Sequence, residues 1–260
     1  MDKTQNPSPA NPSPTLNPTS STPISRMLYL RSDDAFLSYG PTDKLWLMPP
    51  MFTRGQYHNV TVRSLMIMHL FPNVKDAVTL NTGTKTVTIP AGNWNPAMIA
   101  RYLNDQLYPD TQMVCYDDQS KVFRFCPGIN ILNQGTTAHA ILGFRKGVDY
   151  IGATESVLPV QLYGPTRIIV ETNLQVYNLP INGRLAMVPI TESFGQMIHY
   201  NNHSSTHSHL CMDQFFQHIR VRLTDEKGEL LTAYEEVPWD LMISFEPIDN
   251  PGFQSFILPQ

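Results

Sequence analysis

His218-Ile219-Arg220-Val221-Arg222-Leu223-Thr224 is followed by the turn residues Asp225-Glu226-Lys227-Gly228 and, after a short spacer, by Trp239-Asp240-Leu241-Met242-Ile243-Ser244-Phe245-Glu246. In both stretches every second residue is apolar, the period of a β-strand. A strand patterned this way buries one face and wets the other, so the chain closes by adding two half-buried strands to a layered β core. The outward Arg220, Arg222, Asp240 and Glu246 are placed to make cross-strand or subunit-contact pairs.

Working outward from that ending, short apolar and β-branched runs recur at 27–30, 45–48, 59–70, 77–80, 86–89, 113–116, 122–125, 167–172, 184–190 and 196–200. Asn81-Thr82-Gly83-Thr84 marks a hairpin turn between two of them. Roughly ten short strands punctuated by Gly, Pro and Asn, before the closing pair, make a sandwich or barrel. Two segments read as helix. Asn95 is a cap with Pro96 at the first position, after which Met98, Ile99, Tyr102, Leu103 and Leu107 fall on one face. A shorter helix runs over 137–142 and stops at Gly143.

Residues 1–25 have a different character. Pro7, Pro9, Pro12, Pro14, Pro18 and Pro23 break helix and sheet ladders, and Leu16 and Ile24 are the large aliphatics. The expectation is an extended, flexible arm. It carries Lys3 against Asp2 before Arg26, so a partner of the arm would be protein rather than nucleic acid.

Charged residues are 15% of the 260, where about a quarter is usual. Surface that would otherwise be charged is therefore polar-neutral or covered by a partner. A net charge of −4 and the lack of any Lys/Arg run remove the electrostatic footprint of a nucleic-acid binder. No run of about 18 apolar residues occurs and the first residues lack the apolar core of a signal peptide, so no membrane span and synthesis in the cytosol are expected. Cys115, Cys126 and Cys211 read as reduced thiols, with a Cys115–Cys126 disulfide open if their strands pair.

His199, His203, His207, His209 and Cys211 are of ligand type, yet 201–208 has the composition of a loop, which favours a polar loop at a subunit contact over a metal site. A third use is pH sensing, since clustered imidazoles gain charge between about pH 7 and 5. Asp33-Asp34, Asp117-Asp118 and Glu235-Glu236 lie in turns or polar stretches, favouring solvation over acid–base catalysis. Neither a nucleophile elbow nor a zinc-protease helix is present. Arg145 and Lys146, within Gly143-Phe144-Arg145-Lys146-Gly147, lack the spacing and following helix of a phosphate loop. Trp46, Trp94 and Trp239 are core or interface anchors, with sugar stacking as the alternative. No catalytic, cofactor-binding or metal residue is assigned.

Val87-Thr88-Ile89-Pro90-Ala91-Gly92-Asn93-Trp94 and the helix after it, then Val122-Phe123-Arg124-Phe125 and Ile141-Leu142-Gly143-Phe144, resemble in kind and order a module of certain double-stranded DNA virus capsid proteins. The ending quoted above looks like their closing strands. The group is that of virophages, Polinton-like viruses and adintoviruses, whose shells combine a double jelly-roll major capsid protein with a single jelly-roll vertex protein. Two jelly rolls do not fit in this length, so the resemblance implies the penton, or minor capsid, protein.

The expected architecture is thus a mainly β single jelly roll over 26–260, with a helix-containing insertion around 77–145 and the arm of 1–25. The expected role is structural and non-enzymatic: a homopentamer at the vertex of an icosahedral virion, contacting the major capsid protein, without a cofactor. A carbohydrate- or receptor-binding β-sandwich, as in a spike or lectin, is the alternative.

Overall fold

The alternation that closes the chain does bury one face. Ile219, Val221, Leu223, Trp239, Leu241, Ile243 and Phe245 are each at most 1% exposed. The two strands do not pair with each other, however, because they belong to opposite sheets. The computed structural model describes residues 25–48, 57–109, 113–174, 183–204, 208–211, 217–233 and 236–248, and the expected arm lies almost wholly outside them.

The chain begins with β1 (Arg26–Arg31), a single 3-10 turn (Ser32–Asp34), β2 (Leu37–Gly40), β3 (Asp43–Leu47) and the long β4 (Tyr57–Met68). An excursion follows: β5 (Val78–Asn81), β6 (Thr86–Ile89), α1 (Pro96–Leu107), β7 (Val114–Asp117), β8 (Val122–Ile131), α2 (His139–Leu142) and β9 (Tyr150–Glu155). The chain then returns through β10 (Arg167–Thr172), β11 (Arg184–Pro189), β12 (Met197–Asn201), β13 (His209–Cys211), β14 (His218–Thr224) and β15 (Trp239–Ile248).

Two antiparallel sheets result, in the orders β1-β15-β4-β12, with β13 also on β4, and β11-β10-β14-β3-β2. Setting aside the short β2 and β13 and counting the remaining strands of these sheets in chain order, the sheets read 1-8-3-6 and 2-7-4-5. That is jelly-roll connectivity, in which the chain repeatedly crosses between the layers. The crossing that separates β14 from β15 has visible causes. Asp225 Oδ1 accepts from the Lys227 and Glu229 amides, turning the chain, and Leu231 N–H donates to Leu223 O before the chain leaves the sheet. Thr42 Oγ1 then donates to Leu231 O at 2.7 Å, and Trp239 starts β15 beneath the other layer. Trp46 and Trp239 meet edge to face at 5.5 Å between the sheets.

The excursion has its own core, built from Leu80, Ile89, Ile99, Leu103, Phe123, Ile131, Leu142 and neighbours as far as Val160. The expected helix is present. Asn95 Oδ1 accepts from Met98 N–H at 2.8 Å, Pro96 opens the first turn, and Ile99, Ala100 and Leu103 are buried. Asn104 fixes its far end by accepting from the Met113 and Val114 amides and donating to Val114 O. The second helix is shorter than expected, starting at His139, and ends as expected at Gly143 in the left-handed region.

Three strands escape the alternation pattern, among them the three-residue β13. β2 is only Leu-Ser-Tyr-Gly, β9 contains Gly152, and β13 is only His-Leu-Cys, so none carries enough alternating apolar residues to stand out. β8 runs to Ile131, past Pro127 and Gly128, beyond the expected end at 125.

Candidate interaction surface

The residue types that suggested chemistry are dispersed or structurally occupied. His199 faces outward on β12 opposite Met66, His203 sits in an exposed turn, and His209 Nε2 lies 3.0 Å from Leu185 O; His207 lies outside the described residues. Cys211 is buried on β13, and burial pushes its thiol up to about 11. Among the described residues, no group of three or more His, Cys, Asp or Glu is placed to hold a metal ion.

Asp33 and Asp34 occupy the 3-10 turn. Asp117 Oδ1 accepts from Gln119 N–H, Arg124 lies 2.6 Å from Asp117 Oδ2, and Asp118 pairs with Lys121. A hydrogen bond from the Ser120 side chain, helped by the Gln119 and Ser120 amides, holds the Asp117 carboxyl below its usual range. The chain reversal before Val122 is thus carried by Asp117. Glu236 neutralises the buried Lys44 at 2.6 Å, while Glu235 lies outside the described residues.

Strands β7 and β8 do pair, but Cys115 faces Arg124, while the Cys126 amide bonds to Met113 O. The two cysteines therefore stand diagonally, a spacing of about 7–8 Å that a disulfide does not span without backbone movement. Both are exposed and unbridged.

The tryptophans are anchors. Trp46 and Trp239 lie in the sandwich core, and Trp239 Nε1 donates to Pro41 O at 3.0 Å. Trp94 packs edge-on to Tyr102 at the start of α1, with its Nε1 donating to Pro90 O. None is exposed as a sugar platform.

What the surface offers instead is apolar area at the sheet ends. β1 and β2 are the terminal strands of their sheets and are joined by the 3-10 turn, so they share one flank of the sandwich. Trp46 Nε1 donates to Arg31 O, and Ser32 Oγ accepts from Trp239 N–H, fixing that turn. On this flank Met27, Tyr29, Phe36, Leu37, Tyr39 and Leu47 are 45–59% exposed. The opposite flank is formed by the other terminal strands, β11 and β12, with the His209–Leu185 contact joining the layers. There Met66, Met68, Met187, Phe194 and Met197 are 36–62% exposed. Most of the large exposed apolar side chains among the described residues thus lie on the two flanks, and such patches mark interaction sites.

Each flank also ends in a strand paired on one side only, leaving a row of backbone donors and acceptors. The charges expected to face outward are satisfied within the chain. Arg220 forks onto Asp43 at 2.7 and 2.6 Å, and Arg222 and Arg184 share Glu171. Arg31 pairs with Asp240 and Arg63 with Glu246. Tyr39 lies under the Arg220 guanidinium, 4.5 Å from it, and so stays oriented while exposed. Sequence periodicity marks these flank residues as apolar but cannot mark them as uncovered, since that depends on which strands are terminal.

No family model matches the chain, and no curated protein gives a significant match. Among solved structures the chain is similar to the crystal structure of selenomethionine-labelled mavirus penton protein. The two are 12% identical, with a TM-score of 0.47 over 86% of this chain and all of that one. The architecture described above rests on the strand order itself.

Proposed function

We propose that this chain is a structural subunit that closes into a ring, the pentameric vertex of an icosahedral double-stranded DNA virus shell. The observation that carries this reading is the pair of dissimilar apolar flanks at opposite edges of one jelly roll. A patch that fits a different patch on the next copy makes a head-to-tail contact, and head-to-tail contacts close into rings when the rotation permits. The motif order that resembles vertex proteins of virophage-type viruses supplies the expected number, five, and the neighbour, a double jelly-roll major capsid protein.

In this reading the protein works by packing and carries out no chemical step. Apolar, polarizable side chains on the flanks gain by burial, and charges already paired within the chain do not have to be desolvated singly. The excursion of β5 to β9 would project from the ring as a separate packed body. A sugar-binding role loses its best candidates, because Trp46 and Trp239 are packed inside and Trp94 is half-buried against Tyr102.

Co-expression with a double jelly-roll major capsid protein, followed by electron microscopy of the particles, tests the assignment. Density for this chain at the five-fold vertices is the expected result. Particles that close normally without it, or that carry it away from the vertices, would remove the vertex role.

A further inference from the structure

Within the excursion, a cavity of about 450 Å³ lies between α2 with the loop after it and the segment of residues 158–161. Its walls are held together by backbone contacts. Val157 and Leu158 N–H both donate to Gly143 O, Gln161 N–H donates to Ala140 O, and Ser156 Oγ donates to Leu142 O at 2.6 Å. Gly143 permits this approach. Its φ is +74°, and a Cβ there would stand 2.2 Å from Leu158 O.

The lining combines an apolar floor with uncompensated positive charge. Phe144, Leu158, Pro159 and Ala140 supply the floor. The exposed Arg145 and Lys146 also line the cavity, and neither has an ion-pair partner among the described residues. His139, another lining residue, is 5% exposed, and its Nε2 is buried with no hydrogen-bond partner. A buried polar atom left without a partner costs about 1–3 kcal/mol, so such atoms call for an explanation. Burial and the nearby Lys146 charge lower the imidazole's affinity for a second proton, so the ring is a neutral donor or acceptor rather than a further cation.

We propose that this cavity binds a small organic anion, its oxyanion group held by Arg145 and Lys146 and its apolar body resting on Phe144, Leu158 and Pro159. The neutral His139 ring borders the same cavity, with its Nε2 turned away from solvent. Two unpaired cations beside an apolar wall favour a carboxylate on a hydrocarbon body over bare phosphate, which would leave the floor unfilled. This site is independent of the ring contacts proposed above.

Calorimetric titration of the full chain with hexanoate and, separately, with inorganic phosphate tests the proposal. Hexanoate is expected to bind at least ten-fold more tightly than phosphate, and the Arg145→Gln/Lys146→Gln double variant should lose at least ten-fold in hexanoate affinity while keeping the wild-type circular dichroism spectrum. In NMR, the His139 ring protons should shift on hexanoate addition. No binding of either anion, equal affinity for both, or undiminished binding by the folded double variant would each overturn it.

Discussion

At the scale of single residues, the sandwich depends on contacts that reach across its layers. Trp239 is 1% exposed, meets Trp46 edge to face, and bonds to Pro41 O. Trp239→Ala should therefore destabilise by about 3–5 kcal/mol, measured by denaturant unfolding. His139 gives a pH dependence with a definite sign. Its folded form resists protonation, so below the unfolded imidazole value of about 6.5 the unfolded chain binds more protons and stability falls with pH. The melting temperature of the wild type should drop between pH 7 and 5, and His139→Gln should drop less. Equal slopes would show that the acid sensitivity comes from elsewhere.

At the scale of elements, faces were legible in the sequence and partners were not. Alternation located β10 at Arg167–Thr172 and β6 at Thr86–Ile89, and the Asn95-Pro96 pair located the start of α1. The same alternation could not say that β14 and β15 lie in opposite sheets. A period of two states which residues share a face, while strand pairing is settled by crossings such as that from Leu231 to Trp239. For the same reason Met187 and Leu47 could be recognised as apolar but not as exposed flank residues. The diagonal placement of Cys115 and Cys126 likewise follows from a two-residue difference in register that composition does not encode. Caps are local and fared better. Asn95→Ala should cost about 1 kcal/mol through loss of the bond to Met98 N–H, while Asn95→Asp should keep most of it, as read by thermal unfolding.

At the scale of the whole molecule, the central claim is that two unlike flanks of one jelly roll fit each other from copy to copy. A head-to-tail ring makes a prediction that a two-fold symmetric dimer does not. A variant with Tyr39→Lys and Leu47→Lys spoils only the β1–β2 flank, and one with Met187→Lys and Met197→Lys spoils only the β11–β12 flank. Each retains one sound surface, complementary to the sound surface of the other. The deciding measurement is light scattering on the wild type, on each variant and on an equimolar mixture of the two. The account predicts a wild-type mass five times the 29.4 kDa chain, monomers for each variant alone, and a one-to-one dimer for the mixture. A monomeric wild type, or variants that keep the wild-type mass, would contradict it.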